Sequence, residues 1–233
     1  MKKPIIGIPS KQSYPAEGDL WHRMEMVDEL RYLVIKYGGI AIMLLPTEKT
    51  MEFNQSDCGD DTILNEEEIA DLHRQVDLCD GIILQGGLYS CSYEVEIARY
   101  AMEKDLPVIG ICAGFNNILR ALGSNVYEDA TGSHNHYSAA YRHPIRIVKD
   151  TKLYDLISQE DYLVNSMHTM MAEKDMVEPF AKISAYDDDG RVEALEVPDR
   201  RFVIGMKWHP ELMEEETYVQ RLFRSYMEAC RKE

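Results

Sequence analysis

Cys112 has the sequence surroundings of an activated nucleophile. An apolar run typical of a buried strand, Val108 to Ile111, ends at this cysteine, and a helical pattern follows at once. Gly110 and Gly114 bracket it as glycines bracket the serine of a nucleophile elbow, where strand and helix pack too closely for larger side chains. The unpaired N–H groups of a helix N-terminus favour a thiolate, so the pKa of this thiol is expected below its free value. A buried cysteine without chemistry would show the same local pattern, so its partners must separate the two interpretations.

A histidine and a carboxylate follow a later strand. The buried-type run from Phe202 to Met206 leads to His209 and Glu211, and Pro210 restricts the backbone between them. Residues two apart on an extended chain point the same way, so the carboxylate can orient the imidazole and stabilise its charged form. An imidazole within reach of a thiol can take its proton. We therefore predict a Cys112–His209–Glu211 triad, against the simpler interpretation of an ordinary surface histidine.

A pair of glycines, Gly86 and Gly87, follows another buried-type run, which starts at Gly81. A strand that ends in two glycines leaves backbone N–H groups unshielded by side chains, as the stabilisation of an oxyanion requires. A simple turn explains the pair alone equally well. The carboxyl ends of parallel strands lie at one edge of a sheet, so we expect this pair and Cys112 at the same edge.

Strands and helices alternate along the first half of the chain. This alternation predicts one α/β domain over residues 1–233, with a doubly wound, mostly parallel sheet of flavodoxin-like type and helices on both faces. Asn65 and Glu68 form the pattern of a capping box at the start of a helix, and an Asp-Gly turn at Gly190 predicts an added β-hairpin. The acidic stretch 48–64 is expected to be a surface excursion. Strands are predicted at 5–8, 40–45, from 81 into the glycine pair at 86–87, 108–111, 144–148, 162–164, 183–186, 192–197 and 202–206, and helices at about 23–37, 92–104, 153–157 and 214–230.

Composition excludes several classes of partner. The formal net charge of −16 is spread over acidic clusters with no opposing basic stripe, so nucleic acid and anionic membranes are not expected as partners. The five cysteines are irregularly spaced, which predicts no disulfide framework and a reducing, cytoplasmic location. The apolar segment near the N-terminus is too short for the core of a signal peptide, and no apolar segment of the sequence is long enough to span a bilayer. A homo-oligomer is compatible with the sequence, which does not determine the oligomeric state.

Three histidines lie in and after a polar loop. His134 and His136 form an H-x-H pattern, and His143 follows seven residues later. Two histidines so arranged can bind a metal, but no cysteine or carboxylate accompanies them at the spacing of a zinc site. We therefore predict no metal site, and no cofactor is implied.

Four stretches of the chain carry a resemblance to a known family. They are Leu84-Gln-Gly-Gly87, Gly110-Ile-Cys-Ala-Gly114, Val164-Asn-Ser-Met-His168, and Gly190-Arg-Val-Glu-Ala194 continued by Gly205-Met-Lys-Trp-His-Pro-Glu211. With these motifs the chain resembles, nearly end to end, a class I glutamine amidotransferase-type domain. Within that superfamily it is similar to the gamma-glutamyl-gamma-aminobutyrate hydrolase (peptidase C26) branch.

The resemblance implies residue roles. The implied nucleophile is Cys112, the base His209 and the orienting residue Glu211; the implied oxyanion hole is formed by the N–H groups of Gly87 and Ala113; the implied substrate-binding residues are Gly86, Asn116, Ser166 and His168. Ser166 and His168 could equally be structural residues at a strand end. The family usually has arginine and glutamine where this chain has Ala113 and Asn116, and a longer segment where it has residues 88–92. Each departure borders the expected γ-glutamyl site.

Three hypotheses for function follow. The first is a stand-alone hydrolase that cleaves small-molecule γ-glutamyl amides through a thioester on Cys112. The second is a glutaminase subunit that supplies ammonia to a separate synthase. The third is a non-catalytic ligand-binding relative, suggested by Ala113 and Asn116 and opposed by the complete triad.

Overall fold

The chain is described by a computed structural model over residues 2–13, 20–21, 23–48, 63–87, 91–138 and 140–231. Most of the acidic stretch 48–64, with Cys58, and residues 88–90 lie outside the described residues. The strands are β1 (Ile5–Pro9), β2 (Lys11–Gln12), β3 (Met24–Glu25), β4 (Ile40–Leu44), β5 (Gly81–Leu84), β6 (Val108–Ile111), β7 (Tyr127–Glu128), β8 (His143–Ile147), β9 (Asp161–Val164), β10 (Met170–Met171), β11 (Lys182–Asp187), β12 (Val192–Glu196) and β13 (Val203–Met206). The helices are α1 (Asp28–Lys36), α2 (Glu66–Val76), α3 (Ser92–Glu103), α4 (Ala113–Ala121), α5 (Lys152–Ile157), α6 (Lys174–Val177) and α7 (Thr217–Ala229).

Nine of these strands form a single mixed sheet in the order β4-β1-β5-β6-β13-β12-β11-β8-β9. The first five are parallel to one another, and β12, β11, β8 and β9 continue the sheet in antiparallel pairing, starting with β12 against β13. The α/β fold class is therefore confirmed. The predicted hairpin is the pair β11 and β12, which belongs to an antiparallel half of four strands.

Helices cover both faces of the sheet, and each face has its own hydrophobic core. One core gathers residues of α1, α5 and α7, and the other gathers residues of α2, α3 and α4. Strand β5 contributes to both, because Ile83 faces the first core while Ile82 and Leu84 face the second. Such two-sided burial explains why the parallel strands are continuous apolar runs. Full burial of each of these side chains contributes about 1.5–3 kcal/mol.

Helix boundaries follow local signals where those signals are strong. The Asn65 side chain accepts hydrogen bonds from the N–H groups of Glu67 and Glu68, and the Glu68 carboxylate in turn accepts one from the Asn65 N–H, which confirms the capping box. Helix α1 starts at Asp28, later than predicted. Its expected first turn is strand β3, which pairs with β2 in a short ribbon, and this pairing takes precedence over the helical pattern.

Three neighbouring strands of the parallel half end at the same edge. Strands β5, β6 and β13 are adjacent in the sheet, and they are followed by Gly86, Cys112 and His209 respectively. Residues distant in sequence therefore meet at the carboxyl ends of these strands, as expected for an open α/β sheet. Among the described residues, none of the helices combines the length and the apolar character needed to cross a bilayer.

Candidate active site

The turn between β6 and α4 holds Cys112 in a strained backbone conformation. Its φ of 53° and ψ of −103° are unusual for a residue other than glycine, and its N–H donates to the carbonyl oxygen of Met206 at 2.8 Å. A Cβ on Gly114 would lie 2.1 Å from the carbonyl oxygen of Leu84, and one on Gly110 would lie 2.6 Å from that of Gly114. Close packing of strand and helix therefore requires both glycines and presents the cysteine at the tip of an elbow.

His209 and Glu211 form a hydrogen-bonded pair beside this elbow. The Nδ1 atom of His209 lies 2.7 Å from Oε1 of Glu211, whose side chain is buried. The pairing was predicted, but an extended segment is not what produces it. Residues Pro210–Leu212 form a 3-10 turn, and the turn brings the carboxylate back toward the imidazole.

The backbone of His209 is held by an asparagine from the antiparallel half. The side chain of Asn165 donates to the carbonyl oxygen of His209 at 2.8 Å and accepts from its N–H at 2.8 Å. Asn165 is fully buried. The sequence placed it in a family-like motif without a role, because its partner lies 44 residues away in the chain.

Charges in the site favour a thiolate paired with an imidazolium. Burial raises the pKa of Cys112, but the charge and hydrogen bond of His209, followed by the charge of Lys207, outweigh it, so the pKa is lowered overall. Burial lowers the pKa of His209, but Glu211 and the Cys112 thiolate together raise it to about 11. By contrast, burial raises the pKa of Cys79 and of Cys230 to about 12. Of these three cysteines, only Cys112 has a lowered pKa, the condition that favours a thiolate.

A cavity of about 500 Å³ opens at this edge of the sheet. Its wall includes the site residues Gly86, Gly87, Cys112, Ala113, Asn116, His168, His209 and Glu211, together with the cations Lys11 and Arg120. The backbone at Gly87 has a φ of +156°, a conformation that residues with a side chain rarely adopt. The cavity thus brings together the glycine pair, the elbow and the histidine pair predicted from separate stretches.

Ser166 is not in this cavity wall. It is fully buried, and its hydroxyl donates to the carbonyl oxygen of His134 at 2.8 Å. The structure therefore places it behind the wall, in contact with the loop before β8, rather than at the surface where a substrate would bind. Asn116 and His168 do reach the cavity, each buried to more than nine-tenths.

Lys207 is a functional candidate that the sequence analysis did not assign. Its side chain is fully buried, donates from Nζ to Oδ1 of Asn116 at 2.7 Å and lies 4.8 Å from the centre of the Phe115 ring. Burial lowers its pKa to about 8. A lysine within the apolar run from Val203 to Trp208 is the signal that could have identified it, because such runs rarely contain a charge.

The fold is that of a class I glutamine amidotransferase-like protein. A putative GMP synthase subunit from Thermoplasma acidophilum superposes with a TM-score of 0.65 at 14% identity, covering 99% of this chain and 95% of that one. The glutaminase domain of Trypanosoma brucei CTPS, with acivicin bound, superposes with a TM-score of 0.65 at 17% identity, covering 98% and 94%. At these identities the similarity shows the fold alone.

Sequence similarity identifies the family. The peptidase C26 family model matches residues 91–211, more than half of the chain, and the chain belongs to the peptidase C26 family. Protein NtpR of Enterococcus hirae is 30% identical over 56% of this chain. Gamma-glutamyl-gamma-aminobutyrate hydrolase of Escherichia coli is 26% identical over 58% of this chain and 58% of its own. The match covers 57%, 34% and 45% of the first three curated relatives.

Proposed function

We propose that this protein hydrolyses γ-glutamyl amides of small amines or amino acids through a thioester on Cys112. The observation that carries the proposal is the arrangement of Cys112 and His209 in the wall of one cavity, with Glu211 bonded to the Nδ1 nitrogen of the imidazole. The family membership and the hydrolase among the relatives agree with cleavage of a C–N bond.

The proposed reaction has two halves. The Cys112 thiolate attacks the γ-carbonyl carbon, and the backbone N–H groups of Gly87 and Ala113 stabilise the resulting oxyanion. The imidazolium of His209 gives its proton to the leaving nitrogen, so the amine departs and a γ-glutamyl thioester remains. Water then attacks the thioester while His209 takes its proton. Glutamate leaves, and the thiolate and imidazolium are restored.

The walls of the cavity suit an anionic substrate portion. Lys11 and Arg120 face the cavity, and a γ-glutamyl group carries an α-carboxylate that an arginine can bind through two hydrogen bonds. Lys11 also forms a buried ion pair with Glu94, at 2.6 Å between Nζ and Oε1, so Arg120 is the better candidate for the carboxylate. Arg120→Gln should therefore raise KM more than it lowers kcat.

Asn116 distinguishes this pocket from that of a glutaminase. Its amide oxygen already accepts a hydrogen bond from Lys207, and its side chain is one methylene shorter than the glutamine that the family usually has. Free glutamine makes the fewest contacts beyond its γ-glutamyl part, so it should be a weak substrate. A larger amine portion gains contacts on the leaving-group side that can lower the barrier.

The second candidate is a glutaminase subunit that passes ammonia to a synthase. It is favoured by the relatives that are named as CTP synthases and as a glutamine-hydrolysing GMP synthase subunit. The test is steady-state kcat/KM of the purified chain alone, measured by amine release from glutamine and from γ-glutamyl conjugates of 4-aminobutyrate, putrescine derivatives and aromatic amines. The kcat/KM for at least one conjugate should exceed that for glutamine, and Cys112→Ala serves as the inactive control. If glutamine is the best substrate, or if every substrate needs an added synthase, the second candidate replaces the first.

A further inference from the structure

A second polar cluster adjoins the cavity, and one of its members, His168, also lines the cavity wall. It consists of three buried histidines that face one buried carboxylate, and we call it the histidine–glutamate cluster: His134, His143, His168 and Glu193. Nδ1 of His134 lies 3.6 Å from Oε1 of Glu193, Nε2 of His168 lies 3.6 Å from the same oxygen, and Nε2 of His143 lies 3.9 Å from Oε2. The histidine rings also contact one another, with His134 4.9 Å from His143 and 5.1 Å from His168 between ring centres.

The cluster lacks the hydrogen bonds that buried polar groups normally make. Among the described residues, neither carboxylate oxygen of the fully buried Glu193 has a hydrogen-bond partner, and the same holds for Nε2 of His143 and of His168. The nearby ammonium of Lys207 donates to Asn116 instead. Buried polar groups are satisfied in the great majority of native structures, and a buried carboxylate in particular needs a cation. These unpaired atoms point toward one another and define the place for it.

The neighbours of His134 fix the orientation of its ring, with one nitrogen toward Asp187 and the other toward Glu193. Its Nε2 lies 3.2 Å from Oδ2 of Asp187, so this carboxylate faces the outer edge of the ring. The hydroxyl of Ser166, which donates to the carbonyl oxygen of His134, also lies 3.2 Å from Nδ1. The Nδ1 atom lies on the other edge of the ring, 3.6 Å from Oε1 of Glu193. A carboxylate that holds the far N–H of a histidine is the usual outer partner of a metal-binding imidazole.

We propose that the histidine–glutamate cluster binds a divalent first-row transition metal ion, with Zn²⁺ as the expected ion. One ligand atom each from His134, His143 and Glu193 can be chosen so that all three lie within 4.8 Å of one another. His168 is outside that set, but its Nε2 lies 3.6 Å from Oε1 of Glu193, and it would complete the site by moving toward the other ligands. Metal–ligand bonds of about 2.0–2.2 Å place neighbouring ligand atoms of a tetrahedron roughly 3.3–3.6 Å apart. The three distances from the imidazole nitrogens to Glu193, 3.6, 3.6 and 3.9 Å, are close to that spacing, and the remaining separations would shorten when the ion binds. Nitrogen and carboxylate oxygen are ligands that suit zinc.

The ion would be structural. Its ligands come from four segments, and a site with four protein ligands leaves no position open for substrate. His134 lies beside Asn135 and Tyr137, which line the cavity, while Glu193 is on β12 inside the sheet. The ion would thus link the loop that contains His134, Asn135 and Tyr137 to strand β12 of the sheet. Sequence spacing did not predict the site because Glu193 is 59 and 50 residues from His134 and His143 respectively.

The first test is metal content. Untagged protein is loaded with Zn²⁺, dialysed extensively and analysed for bound zinc by mass spectrometry. We expect about one equivalent in the wild type, and loss of at least tenfold in Glu193→Gln and in His143→Asn. His136→Asn is the matched control, because His136 lies in the same loop and outside the cluster. Cys112→Ser removes the other site at which zinc could bind, the thiolate beside His209, and should keep its zinc.

The second test needs no variant and covers the case in which a substitution prevents folding. Co²⁺ bound by wild-type protein in the cluster should give the intense visible absorption of a tetrahedral site without a thiolate-to-metal charge-transfer band. Zinc-free wild-type protein after loading and dialysis, or a Co²⁺ spectrum with that thiolate band, would overturn the proposal. So would zinc that leaves with Cys112→Ser and stays with Glu193→Gln.

Discussion

The ring of His209 lies in the space that a side chain at Gly86 would need. A Cβ at that glycine would come within 2.6 Å of Cε1 of His209 and 3.4 Å of Cβ of Cys112. The end of β5 must therefore be free of a side chain for the imidazole to reach the thiol. Gly86, which follows β5, therefore limits how closely His209 and Cys112 can approach each other, although those two residues follow β13 and β6.

This relationship predicts the effect of Gly86→Ala. The added methyl group should displace His209, and a displacement of about 1 Å in a reacting group can cost about a hundredfold in rate. We expect kcat/KM for the best γ-glutamyl conjugate to fall by roughly that factor while thermal stability changes little. Gly38→Asn is the matched control, since Gly38 has a φ of +87° that asparagine tolerates and lies at the end of α1. Equal losses in the two variants would contradict the displacement.

Alkylation kinetics should identify Cys112 as the reactive thiol. Because its pKa is lowered while burial raises the pKa of Cys79 and of Cys230 to about 12, iodoacetamide should modify Cys112 first at neutral pH. Peptide mass mapping over a time course gives the rate at each cysteine. His209→Asn removes the charge that lowers this pKa, so it should slow modification of Cys112 and leave the other rates unchanged. A Cys112 rate no higher than that of Cys230 would remove it as the nucleophile.

The pH dependence of kcat/KM should show two limbs that belong to the coupled pair. Activity should rise as the Cys112 thiol ionises, below the pH at which a free thiol would, and fall as His209 loses its proton near pH 11. In Glu211→Gln the carboxylate that helps to raise the pKa of His209 is absent, so the falling limb should move to lower pH. Turnover should drop by about tenfold or more. An unshifted limb with full turnover would exclude Glu211 from the triad.

Lys207 should act on the nucleophile through its charge. It contributes to the lowered pKa of Cys112 after His209 does, so Lys207→Met should slow alkylation at neutral pH by less than His209→Asn. The same variant leaves Oδ1 of Asn116 unpaired, which typically costs about 1–3 kcal/mol where no water replaces the donor. Lys149→Met, which removes an exposed lysine, serves as the control in both alkylation and urea unfolding. Unchanged alkylation of Cys112 would show that the charge of Lys207 is screened from the thiol.

Local sequence signals were sufficient wherever the interacting residues are close in the chain. The capping box of Asn65 and Glu68 and the close packing at the glycines on either side of Cys112 were predictable because the signals lie within a few residues. The hairpin of β11 and β12 was predicted for the same reason. The proximity of His209 to Glu211 also followed from sequence, although the 3-10 turn that produces it did not.

Contacts across the sheet were decided by tertiary structure alone. Asn165 holds the backbone of His209 across 44 residues, and Lys207 reaches Asn116 across 91, so no local period or spacing records either contact. The two-stranded ribbon of β2 and β3 replaced the first turn of α1 because pairing satisfies backbone groups that the isolated sequence pattern cannot show. Burial of Ser166 and the gathering of three histidines around Glu193 depend on how the antiparallel half closes over the loop before β8. Strand order and register set these neighbours, and both are properties of the folded sheet rather than of any single segment.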